Sequence, residues 1–135
     1  HGQFSGDAAS TFVLTYDDYL TLDDLENLIR PSSYRGAPVE LLTLSACQTA
    51  AGDDKAALGL AGVAIKAGAR AALASLWFVS DQASALMVDE FYRALAKPGT
   101  SKAQALKHAQ TVLRNDPRFR HPRYWAPYIM IGNWL

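Results

Sequence analysis

The chain holds a single cysteine, Cys47, so no disulfide can form within it. A lone cysteine fits a reducing compartment, and a cytoplasmic location is expected. A charge bias is missing too: 13 Lys and Arg offset 13 Asp and Glu. No basic excess points to nucleic acid, and no acidic run points to a disordered tail, so direct nucleic-acid binding is not expected. No apolar run approaches the roughly 18 residues that a membrane span needs, and no signal peptide is recognisable. Metal ligands are sparse. His1, His108 and His121 are scattered, and one cysteine cannot make a Cys-rich zinc site, so no metal is expected. Neither a G-x-x-x-x-G-K-[ST] loop nor a C-x-x-C pair occurs, which leaves phosphate-loop and dithiol chemistry unsupported and no cofactor expected.

What remains is core material. Half of the 135 residues are apolar, enough for one domain with a sizeable interior. Phe12, Leu14 and Tyr16 alternate as a short strand after a small, polar loop at 1–10, and Tyr19-Leu20 returns as a hairpin. Thr21 with Asp24 opens a helix whose face is Leu22, Leu25, Leu28 and Ile29, and Pro31 is expected to end it. The run 39–44 (VELLTL) reads as a buried strand, 58–67 as a tightly packed helix, and 71–77 (AALASLW) as a second buried strand. Gly59 and Gly62 are unfavourable in a helix, and close helix–sheet packing is the expected reason. Ser80 caps a long helix, Ser101 with Gln104 makes a capping box for another, and 128–131 reads as a last strand. This alternation predicts an α/β fold with a mainly parallel sheet flanked by helices.

In such sheets ligands bind at the C-terminal ends of the strands. Cys47 falls there, beyond the VELLTL strand and ahead of a polar loop. Its bland reading is a buried, inert, small hydrophobe. Its functional reading is a nucleophile, which needs a neighbouring base to form thiolate. His1 is the candidate base, and the amides of Gly2 and Cys47 can together face an oxyanion. Taken alone, His1-Gly2 reads as a turn sooner than as a catalytic pair. His108 lies mid-helix and His121 in a Pro-flanked basic loop, so both are weaker bases. Arg114, Arg118, Arg120 and Arg123 sit among Phe119, Tyr124 and Trp125. With zero net charge, a solvated loop or a partner contact is favoured there over a nucleic-acid patch.

His1 precedes Cys47 by 46 residues, close to the roughly 50 that separate histidine from an alanine-cysteine pair in caspase-type enzymes. The segment LLTLSACQTAAG at 41–52 resembles the cysteine block of CHAT domains, caspase-like domains often found beside TPR repeats and related to separases and caspases. HGQF at 1–4 resembles the end of that family's histidine block. GLAGVAIKAGARAALASLWFVSD at 59–81 and HPRYWAPYIMIGNW at 121–134 are similar to its later segments, in the family's order. The resemblance implies that residues 1–135 are the C-terminal portion of one peptidase domain whose N-terminal strands precede His1.

It implies a cysteine endopeptidase with His1 and Cys47 as catalytic dyad, and Gly2 and Cys47 as oxyanion hole. Its expected partners are a protein or peptide substrate and TPR or other regulatory domains. Asp81 aligns with an acidic residue that helps to bind a basic P1 side chain in separase-like relatives, but it also suits the first turn of a capped helix, which is the favoured reading. Trp77 either lines the S1 pocket or belongs to the core. The alternative to an enzyme is a catalytically silent scaffold or interaction module of the same fold.

Overall fold

A computed structural model of the chain describes residues 2–3, 12–34, 36–44 and 55–135. The described residues form two small three-stranded sheets and four α-helices, a mixed α/β structure. The first sheet joins β1 (Gly2–Gln3), β2 (Phe12–Leu14) and β3 (Tyr19–Thr21) in antiparallel pairs. The hairpin is the one the alternation predicts, with Phe12 and Tyr19 stacked edge to face. Gly2 and Gln3 are a strand rather than part of a loop, because their backbone groups pair with β2 opposite Val13 and Phe12.

Helix α1 (Leu22–Tyr34) begins as a reciprocal cap. The Thr21 hydroxyl accepts from the Asp24 N–H, and the Asp24 carboxylate accepts from the Thr21 N–H and hydroxyl. These hydrogen bonds hold the Asp24 carboxyl below its ordinary pKa. Leu25 and Ile29, one turn apart, are buried. Leu28 is not part of that face; it is 66% exposed. Pro31 does not end the helix, which runs on to Tyr34. Its missing N–H forfeits a single helix bond close to the C-terminal end.

The second sheet joins β4 (Leu42–Leu44), β5 (Ala71–Ser75) and β6 (Tyr128–Gly132) in that order. The pair β4–β5 is parallel and is crossed by α2 (Lys55–Lys66), while β6 returns antiparallel to β5. Of the described pairs, β4–β5 alone meets the expectation of parallel strands. Strand β4 is also shorter than the VELLTL run and half-buried rather than buried.

Period-two alternation sends residues of this sheet to two faces. Ala72, Ala74 and Ile131 pack on Ala61 and Ile65 of α2. Leu73, Tyr128 and Met130 pack on α3 (Asp81–Leu95) and α4 (Lys102–Asn115). The sheet is therefore a middle layer between helices. Both α3 and α4 start as the sequence predicts, at Ser80 and at the Ser101–Gln104 capping box. Phe91, Met87, Leu73 and Leu113 are fully buried between them and the sheet. Each such side chain contributes about 1.5–3 kcal/mol relative to exposure.

Helix α2 approaches β5 closely because Ala61 and Ala64 face the interior with no exposed surface. Gly62 does not do this work. It is exposed, and a Cβ there would meet nothing within 4 Å. Gly62→Ala is therefore expected to raise the unfolding free energy by about 0.5–1 kcal/mol, measured by urea denaturation. A lower midpoint would mean that this face of α2 is covered.

Candidate functional site

Because β4 and β5 are parallel, their C-terminal ends lie side by side: Leu44 pairs with Ala74. Three chain segments meet at this edge. The chain leaves β4 toward Cys47, three residues beyond Leu44. It leaves β5 through Leu76, Trp77 and Phe78 and enters α3 at Asp81. The segment 117–127 arrives at the same edge, since Tyr128 pairs with Ser75 and Leu76 N–H donates to Pro127 O. The first sheet packs on the same side of β4: Val13, the partner of Gly2, belongs to the same apolar cluster as Leu42 and Leu44.

His1 and Cys47 lie outside the described residues. Gly2 is described as backbone, in β1. Trp77 stands two residues past β5, on the surface at 36% exposure, and is not core. Its indole N–H donates to Arg123 O at 3.0 Å. Phe78 beside it is 55% exposed, whereas Val79 is buried and anchors the turn into α3. Asp81 is the first residue of α3 and is exposed. It follows a Ser80 hydroxyl that accepts from Ala83 N–H, so the capping-turn role holds, with its carboxylate favourably placed at the helix N-terminus. No described cation pairs with it.

The segment 116–125 is an ordered loop with its own scaffold. Phe119 is buried and meets Tyr124 edge to face at 5.5 Å. Trp125 indole N–H donates to Arg120 O, and the Gln110 amide on α4 donates to Trp125 O and Tyr128 O. Asp116 grips Arg118 through two guanidinium nitrogens, at 2.8 and 3.1 Å. That pairing lowers the Asp116 pKa and raises that of Arg118. His121 Nδ1 accepts from Arg123 N–H and caps a short 3-10 turn at Pro122–Tyr124, a structural task rather than that of a base. His108 pairs with Glu90 between α4 and α3, on the outer surface. Tyr128 hydroxyl donates to Ser84 Oγ, tying the start of β6 to the first turn of α3.

The family resemblance pointed to Trp77 and Asp81, and the fold puts both at this edge. The association of Trp77 with Arg123 was not readable from the sequence. The two are 46 residues apart and meet only because β6 returns beside β5. Among the described residues no group of three His, Cys, Asp or Glu side chains is arranged to hold a metal.

The model of the CHAT domain matches residues 1–133. The chain belongs to the CHAT-domain family. Tetratricopeptide repeat protein 28 of Homo sapiens is 33% identical over 98 residues, which are 71% of this chain and 4% of that protein. The Mus musculus protein of the same name is 34% identical over 97 residues, 70% of this chain and 4% of its own length. The CHAT chain thus spans about 4% of these curated relatives. No solved structure matches it. No described helix is long and apolar enough to cross a membrane.

Proposed function

We propose that this CHAT chain is the C-terminal portion, residues 1–135, of a cytoplasmic caspase-like cysteine endopeptidase domain. Cys47 is its nucleophile and His1 its base. The observation that carries the reading is the family match running through both residues, in a structure where Val13 of β2, the strand paired with β1, and Leu42 and Leu44 of β4 pack on one apolar cluster. In the full domain, further strands extend the β4 edge into a mainly parallel sheet. The relatives' TPR naming supports regulation by TPR domains of the same or a partner protein.

His1 accepts the Cys47 thiol proton, and the thiolate attacks a substrate peptide carbonyl. The Gly2 and Cys47 amides hold the oxyanion that forms. His1 then gives the proton to the departing amine as the C–N bond breaks. Water, deprotonated by His1, attacks the thioester and releases a carboxylate product and the thiol. Trp77 forms a wall of the S1 pocket, and Asp81 favours a basic P1 side chain.

Labelling by peptidyl electrophiles tests this on the full-length protein. A probe with Arg or Lys at P1 is expected to modify Cys47, and to do so faster than one with Asp. Equal rates would remove Asp81 from the specificity assignment. A folded protein that no probe modifies would support the scaffold reading instead.

A further inference from the structure

We infer that the loop carrying Arg120 and Arg123 is a docking strip for an acidic stretch of a polypeptide substrate, beside Trp77 at the catalytic edge. This deepens the peptidase reading and rests on it for the word substrate. Three observations carry it. First, the loop is held rigid by groups spent on its backbone: Trp77 donates to Arg123 O, Trp125 donates to Arg120 O, and His121 accepts from Arg123 N–H. Both arginine residues are exposed. A preorganised backbone loses less entropy on binding than a mobile one.

Second, among the described residues no acid compensates the charge of Arg120 and Arg123. Asp116, the nearest acid in the sequence, is engaged by Arg118. Among the described residues no carboxylate pairs with Arg114, Arg120 or Arg123; Arg123 lies over the Tyr124 ring at 5.4 Å instead. A chain of zero net charge thus concentrates unpaired guanidinium groups on one loop.

Third, the strip adjoins exposed aromatic surface. Trp77 and Phe78 stand beside it at the C-terminal end of β5. Guanidinium forks bind carboxylates in bidentate fashion, and aromatic faces take the apolar parts of a peptide. An acidic polypeptide fits this edge better than nucleic acid, because the positive patch is small and the chain carries no basic excess. Asp81 at the same edge and the arginine strip then read opposite charges at different substrate positions.

The test is fluorescence anisotropy on the full-length protein carrying Cys47→Ala, so that binding is read whether or not hydrolysis occurs. The probes are a labelled glutamate-rich peptide and its glutamine counterpart. The glutamate peptide is expected to bind more tightly, with affinity falling as salt rises. Arg120→Glu with Arg123→Glu should weaken it by about tenfold or more at low ionic strength and improve binding of a lysine-rich version. Unchanged thermal midpoints exclude unfolding as the cause, and the gain with lysine separates recognition from a structural role. Equal binding of the two probes, or no effect of the double reversal, overturns the inference. Preferential competition by a single-stranded oligonucleotide overturns it in favour of nucleic acid. Absence of hydrolysis by the Cys47 protein would instead strike the peptidase reading, since the anisotropy result does not depend on it.

Discussion

Replacing Cys47 by Ala is expected to abolish peptide hydrolysis by the full-length protein, and replacing His1 by Ala to slow it by about 100- to 10,000-fold. The argument is chemical. A thiol with an ordinary pKa of about 8.5 is only a few per cent thiolate at neutral pH, and thiolate is the nucleophile. A neighbouring imidazole takes its proton and later protonates the leaving amine. Without that imidazole both steps fall to water. Residual activity of His1→Ala should therefore climb with pH as the thiol ionises unaided, whereas the wild-type profile should be bell-shaped. Turnover of a fluorogenic peptide across pH checks both statements. Undiminished hydrolysis by Cys47→Ala would remove the nucleophile from the account.

The largest effect on stability is expected at Gly132. It lies in β6, opposite Ala71, with φ of 90°. A Cβ built there would stand 2.4 Å from Arg70 O and 2.9 Å from Ile65 Cδ1. Arg70 O cannot move freely, because it accepts from Asn133 N–H at 2.7 Å, and Arg70 N–H in turn donates to Val39 O on the approach to β4. Gly132→Ala thus combines a left-handed backbone with a clash against backbone, and should lower stability by about 2–5 kcal/mol. Gly99→Ala is the control. Its φ is 78°, but its Cβ would meet open space, so only about 1–2 kcal/mol is expected. Comparable denaturation midpoints for the two variants would contradict this packing at the β5–β6 end. Because the damage reaches Val39, Gly132→Ala should also reduce whatever activity depends on β4.

Local features of this fold were readable from the sequence. The Thr21–Asp24 and Ser101–Gln104 caps each involve residues three apart, and both are found. The buried β5 run was readable for the same reason, since AALAS states its own burial. Features decided by a neighbouring element were not. Leu28 matched the apolar spacing of α1 yet faces out, because nothing described covers that side. Gly62 was expected to enable close packing, but Ala61 and Ala64 had already supplied it. The antiparallel return of β6 was invisible, as strand direction follows from the α3–α4 excursion rather than from β6 itself.

The site shows the same division. His1 and Cys47 came from motif and spacing, and both lie outside the described residues. The Trp77–Arg123 bond came only from the tertiary structure.

The central claim is that His1 activates Cys47, and the rate of Cys47 alkylation against pH measures it most directly. In the full-length protein the wild-type thiol should react with iodoacetamide well below pH 8, with a midpoint that moves up toward the ordinary thiol value of about 8.5 in His1→Ala. Coincident profiles with the ordinary midpoint in both proteins would contradict the dyad.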